Sequence, residues 1–198
     1  MASEELHALV LKATRELFIE RGFSGTTMDA VAHHCGVSKR TVYNLFKSKS
    51  DLFAALIDTN RRGLLALPGA YNDLTVEDAL IEILTINLDE QAELEQQTLL
   101  QVTLMEARRH PELEALLREM GEERSRHLLI EWLDEQRQLG RIVVGSTRAA
   151  ARMLMNIVSG PHEQQSIGKF DKKTRAERNA YLRQSIKIFA AGVSQTKT

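Results

Sequence analysis

The chain has 198 residues, 43% of them hydrophobic and 27% charged, with a net charge of −1 at pH 7. That length supports one sizeable core, or a small module beside a mid-sized one, and the composition excludes disordered and fibrous classes. The near-neutral balance excludes a basic nucleic-acid coat, so any nucleic-acid site must come from a local concentration of charge.

The one cysteine, Cys35, excludes an intramolecular disulfide and fits a reducing compartment. The start, Met1-Ala2-Ser3-Glu4-Glu5, is acidic and polar, unlike a secretory signal. No apolar run approaches the roughly 20 residues that cross a bilayer. The expectation is a cytoplasmic protein with no membrane partner. Proline occurs only at Pro68, Pro111 and Pro161, and alternating β-branched patterns are almost absent. Good helix formers dominate, so the expected class is all-α.

In chain order, the first predicted helix runs from about Glu4 to Arg21, with Leu6, Val10, Ala13 and Leu17 on one face, and stops at Gly22. Thr27 caps a short helix from Met28 to Cys35, and Gly36-Val37 makes a tight turn. Ser38 caps a third helix from Lys39 to Phe46, and Ser48 with Asp51 forms a capping box for a fourth through Leu56. Pro68-Gly69 and Asn72-Asp73 break the pattern. Thr75 caps the next helix through Leu84; another carries Leu94 to Met105 and stops at Pro111. Pro111 opens a helix expected to run unbroken to Gly140. Ser146 caps a helix ended by Gly160-Pro161, Gln164 to Lys173 reads as loop, and a last helix spans about Thr174 to Gly192.

The informative segment is Thr26 to Lys49. Two short helices joined by a Gly-containing turn have the shape of a helix-turn-helix. From His33 to Lys49 there are Lys39, Arg40, Lys47 and Lys49 and no acidic residue. Hydroxyls, ammonium groups and helix N-terminal amides all bind phosphate oxygens, which points to Thr26, Thr27, Tyr43 and Lys49. Lys39, Arg40 and Thr41 stand at the end of the third helix that would enter a major groove. Val42 is expected in the core and Leu45 nearer the DNA. Ser38 and Asn44 complete the candidate DNA-binding set. Tyr43 has a second reading as a core tyrosine, and the basic run one as a solvated face. His33-His34-Cys35 invites a metal, but neighbours on a helix point about 100° apart and cannot converge on one ion.

The run Ala13, Leu17-Phe18, Gly22-Phe23, Thr26-Thr27, Val31-Ala32, Gly36-Val37-Ser38, Thr41-Val42-Tyr43, Phe46, Lys49 and Leu52 resembles the N-terminal signature of the TetR/AcrR family. The resemblance implies a three-helix DNA-binding domain over residues 1–50. It also implies a helical regulatory, ligand-binding and dimerisation domain over 51–198. Thr27, Thr41, Tyr43 and Lys49 match positions where the family usually contacts DNA. Lys39 and Arg40 fall where members often carry Gly or Pro. The stretch from Glu106 to Leu113 resembles an AefR-like regulatory subgroup.

That resemblance implies a homodimer reading a palindromic operator and a small-molecule effector. Candidate pocket residues are Leu104, Met105, Arg108, Met120, Trp132, Met153 and Ile157, each with an alternative reading as helical core or surface. Candidate dimer residues on the last two helices are Ala150, Leu154, Val158, Leu182, Ile186, Phe189 and Val193. Two functional readings stay open: a repressor released by an apolar or amphipathic inducer, and a DNA-binding dimer or activator with no small-molecule effector. No nucleophile elbow, phosphate loop, dinucleotide turn or metal-ligand spacing is present, so no catalytic residue, metal or cofactor is expected.

Overall fold

The structure, a computed structural model, describes residues 3–163 and 172–194, and among these there is no strand. The helices are α1 (Ser3–Gly25), α2 (Met28–Cys35), α3 (Lys39–Leu45), α4 (Lys49–Leu64), α5 (Val76–Ile83), α6 (Glu90–Ala107), α7 (Pro111–Leu116), α8 (Arg124–Gln138), α9 (Thr147–Glu163) and α10 (Lys172–Val193), with a π-helical segment, Leu117–Glu123, between α7 and α8.

The starts follow the capping residues. Thr27, Ser38, Thr75 and Ser146 each accept a hydrogen bond from a backbone N–H three residues on. Ser48 does the same for Asp51, at 3.0 Å. Each cap satisfies a donor that the first turn leaves unpaired, worth about 1 kcal/mol. Helical geometry in α1 breaks at Gly22, which adopts φ 67° and ψ −174°.

Two elements depart from expectation. The helix expected from Pro111 to Gly140 is interrupted by the π segment. Gly121 sits inside it, where low helix propensity weakens the regular ladder and a wider i→i+5 turn replaces it. Helix α9 passes the expected stop at Gly160-Pro161 and reaches Glu163. Of the loop expected at Gln164 to Lys173, residues 164–171 lie outside the described residues, and α10 begins at Lys172.

Packing divides the chain into two units: residues up to Gly63 with Gln91–Glu123, and Leu64–Glu90 with the residues from Arg124 onward. The sequence suggested a boundary after residue 50; by packing, α4, α6 and α7 lie with the N-terminal helices. In the first unit Val10, Leu17, Phe18, Val31, Val42, Leu52, Phe53 and Leu113 are fully or almost fully buried. Phe53 makes edge contacts with Phe18 and Phe23, centroids 5.0 and 4.7 Å apart. Each large apolar side chain so buried contributes about 1.5–3 kcal/mol. Thr14 and Thr103, also buried, return their hydroxyls to carbonyls one turn back in their own helices, Val10 and Leu99, both at 2.7 Å. The second unit closes over Leu80, Ile83, Leu129, Leu133, Ile142, Leu154 and Ile186.

Candidate nucleic-acid interface

Helix α2 ends at Gly36, whose φ of 66° and ψ of 27° lie in the left-handed region that glycine reaches without strain. The N–H groups of Gly36 and Val37 then bond the carbonyls of His33 and Ala32, both at 3.1 Å. This turn delivers Ser38 to cap α3, its Oγ accepting from Thr41 N–H at 3.1 Å and lying 2.7 Å from Thr41 Oγ1. Val42 is fully buried and pins one side of α3 to the core. The opposite side therefore faces outward: Lys39, Arg40, Tyr43 and Asn44 are all exposed, Tyr43 at 43%. Tyr43 is not a core residue, and Leu45 is half-buried at the margin.

The candidate DNA residues are not equivalent. Thr27, exposed, caps α2 by accepting from Ala30 N–H at 3.1 Å, which leaves its position at the helix start open to a phosphate. Thr26 turns inward: it is fully buried and donates to the Gly22 carbonyl at 2.8 Å, so its hydroxyl is not on the surface. Thr41 is half-buried. Lys39 Nζ lies 2.7 Å from Asp29 and 5.9 Å from the centroid of Tyr43. The hydrogen bond and charge of Asp29 push the Lys39 ammonium above its usual range.

Lys49 is half-buried. Its Nζ donates to the Phe23 carbonyl and stands 3.8 Å from the centroid of the Phe23 ring. Burial lowers its pKa, against the pull of the Glu112 and Glu106 carboxylates. Glu106 also accepts the Phe23 N–H at 2.6 Å, and its carboxylate lies 3.8 Å from His110. Glu106 was legible only as part of a family-like stretch; its link to Phe23 spans 83 residues and no local spacing reveals it.

The His33-His34-Cys35 run supplies no converging site. His34 Nε2 lies 2.9 Å from Glu16, and the Cys35 thiol is pushed up by burial and by the charge of Glu16. Among the described residues no group of three His, Cys, Asp or Glu could hold a metal ion, and no helix is long and apolar enough to cross a membrane.

The pocket residues expected from sequence fall in both units. Leu104, Met105 and Arg108 are exposed on α6 and its end, and Met120 is half-buried in the π segment, all in the first unit. Trp132 is 5% exposed in the core of the second. Met153 and Ile157 share a cavity, of about 560 Å³, with Val143, Ala149, Ile188 and Gly192. The expected dimer residues all belong to the second unit. Ala150, Leu154, Leu182, Ile186, Phe189 and Val193 are buried within the chain's own second core, with Val158 half-buried against it. That apolar stripe holds α9 and α10 to their own unit. A second apolar set stands outward, with Val143, Met153 and Ile188 exposed at 59, 57 and 63%.

An all-helical chain whose short capped helices present cationic, hydroxyl and amide side chains from one anchored helix has the build of a helix-turn-helix DNA-binding regulator. Residues 10–56 match the family described as "Bacterial regulatory proteins, tetR family". Residues 78–192, more than half of the chain, match "AefR-like transcriptional repressor, C-terminal domain". The chain belongs to the TetR family of bacterial transcriptional regulators, a family of DNA-binding proteins and not of enzymes. It is similar to the HTH-type transcriptional regulator UidR of Escherichia coli, 28% identical over 158 residues that make up 76% of each chain. Among solved structures, a TetR-family transcriptional regulator of Mesorhizobium loti is 21% identical with a TM-score of 0.70, covering 98% of this chain and 100% of its own. The flavonoid-responsive regulator FrrA is 25% identical with a TM-score of 0.61 and the same coverage.

Proposed function

We propose that the protein is a repressor that binds a palindromic operator as a homodimer and is released from it by a small apolar or amphipathic inducer. The observation that carries this reading is α3, held by buried Val42 and offering exposed Lys39, Arg40, Tyr43 and Asn44. Arg and Lys donate to guanine edges, Asn recognises adenine, and a Tyr hydroxyl binds phosphate. Thr27 adds a phosphate position at the start of α2.

The outward apolar residues Val143, Met153 and Ile188 support a two-fold dimer in which α9 and α10 of two copies form four helices. Two copies of α3 would then read major-groove faces about 34 Å apart. An inducer acts only if it binds the DNA-competent and DNA-released forms with different affinity. The name of FrrA, a flavonoid-responsive regulator, supports response to a small molecule.

The test is fluorescence anisotropy of the purified protein on DNA from upstream of its own gene, at several salt concentrations, with Tyr43→Ala as control. Tight binding that weakens with salt and falls at least tenfold in the variant is expected. Weak binding unchanged by Tyr43→Ala on that DNA and on a genomic library would overturn the reading.

A further inference from the structure

Phe23, Ser24 and Gly25 join the kink of α1 at Gly22 to Thr26 and Thr27, where α2 begins. Their placement is therefore the placement of the α2 start, with its exposed cap Thr27. Two local bonds hold this bend: Thr26 N–H to the Phe23 carbonyl at 3.3 Å, and Thr26 Oγ1 to the Gly22 carbonyl at 2.8 Å. Two side chains from helices distant in sequence add to them. Glu106, near the end of α6, accepts the Phe23 N–H at 2.6 Å, and Lys49, at the start of α4, donates to the Phe23 carbonyl. The Phe23 ring is enclosed as well. The Lys49 ammonium lies 3.8 Å from its centroid, the Phe53 ring 4.7 Å and the His110 ring 5.0 Å. A cation on a ring face contributes about 0.5–2 kcal/mol, and charge-assisted hydrogen bonds are stronger than neutral ones. All of these groups belong to the first unit.

The sequence signature places Lys49 among the phosphate contacts, yet its half-buried ammonium is engaged by the carbonyl and the ring of Phe23. Glu106, 17% exposed, carries a charge that opposes a polyanion, and it is turned to a backbone N–H. We propose that Glu106 and Lys49 are positioning residues for DNA binding. By holding both backbone polar groups of Phe23 they set the start of α2, and neither touches DNA. Helix α2 packs on both α1 and α3, so a displaced bend moves Thr27 and the adjoining amides relative to the exposed side of α3. The inference rests on the reading of α2 and α3 as the DNA-binding helices, and not on the repressor or inducer readings.

The test is fluorescence anisotropy of the full chain on DNA that the wild type selects from a random duplex pool. It is run across salt, at a temperature where circular dichroism shows each variant fully folded. Lys49→Met should weaken binding at least tenfold and leave the slope of log K against log salt unaltered. A slope lowered by about 0.9 is that of a lost phosphate contact, and overturns the role of Lys49. Glu106→Ala should weaken binding at least tenfold although it removes a negative charge. Glu106→Gln, which keeps an acceptor for the Phe23 N–H, should recover part of that loss. Equal or tighter binding by Glu106→Ala overturns the role of Glu106, because charge alone acts in that direction. Should Lys49→Met fail to fold, proton NMR of the wild type decides. The Lys49 Cε protons lie against the Phe23 ring and should resonate upfield by its ring current, in the free protein and in the DNA complex alike. Loss of that shift on DNA binding overturns the proposal, and its persistence sustains it. A wild type that selects no DNA removes the DNA-binding reading itself, whereas selected DNA bound equally by the wild type and the variants removes only the positioning roles.

Discussion

The carboxylate of Glu106 accepts a 2.6 Å hydrogen bond from the backbone N–H of Phe23, fastening the end of α6 to the bend that precedes the DNA-binding helices. The same bend receives Lys49 from α4 at the Phe23 carbonyl. Both backbone polar groups of Phe23 are thus held by side chains of other helices, and Gly22 lets the carboxylate come close: a Cβ there would lie 2.6 Å from Glu106 Oε2. Glu106→Ala should cost about 1–3 kcal/mol, because it leaves a part-buried N–H unpaired. Gly22→Ala should cost more than about 1 kcal/mol through its left-handed φ and this contact. Urea unfolding of both variants measures the difference.

Asp29 holds Lys39 by a 2.7 Å ion pair. Asp29→Asn should release that cation to phosphate, tightening DNA binding at low salt and steepening log K against log salt by about 0.9. Anisotropy titrations across salt read both effects; an unaltered slope would mean that Lys39 makes no phosphate contact.

The two apolar sides of α10 should separate by mutation. Ile188→Glu, on the outward side, should leave helicity intact and convert a dimer to a monomer in sedimentation velocity. Ile186→Glu, at a fully buried position, should unfold the chain. A dimer that survives Ile188→Glu removes this face from the interface.

Burial pushes the Asp58 carboxyl upward, but hydrogen bonds and charge from Arg61 and Arg62 outweigh it and leave it below its usual value of 3.8. A carboxylate depressed in the folded state contributes stability that is present above its unfolded pKa and lost as pH falls through the folded one. Arg61 is 4% exposed. Asp58→Asn should therefore cost about 3 kcal/mol at pH 7, by leaving a buried cation short of its nearest counter-charge. It should also flatten the fall in stability below about pH 4. Urea midpoints at pH 7 and pH 3 test both.

Trp132 is buried, and its Nε1 has no partner among the described residues. Trp132→Phe keeps most of the apolar area and removes the unpaired donor, so unfolding should show a change within about 1 kcal/mol, or a gain. A large loss would mean that the indole N–H is satisfied in solution.

Capping chemistry made the local architecture readable. Thr27, Ser38, Ser48, Thr75 and Ser146 mark helix starts because a short hydroxyl side chain beside an orphan N–H is a purely local arrangement. Val42 could be told from Leu45 for a similar reason, since three residues on a short helix fix which side turns inward. Periodicity is ambiguous where a helix has two apolar sides. Ile186 and Ile188 both belong to α10, and sequence alone does not say which meets the chain's own core. Pocket residues are hard to read for another reason: Met and Trp suit irregular surroundings, and which of them line one cavity, as Met153 does with Ile157, depends on long-range packing. The π segment escaped because its one unusual residue, Gly121, is also tolerated in an ordinary helix.

Thr14 and Thr103 carry a consequence for how the sequence can change over time. Each hydroxyl is satisfied within its own helix, so no distant residue depends on it. Valine has almost the same shape and leaves the helix's own ladder whole. These two positions can drift between threonine and valine without a compensating change elsewhere, whereas Glu106 can be replaced only together with whatever then receives the N–H of Phe23.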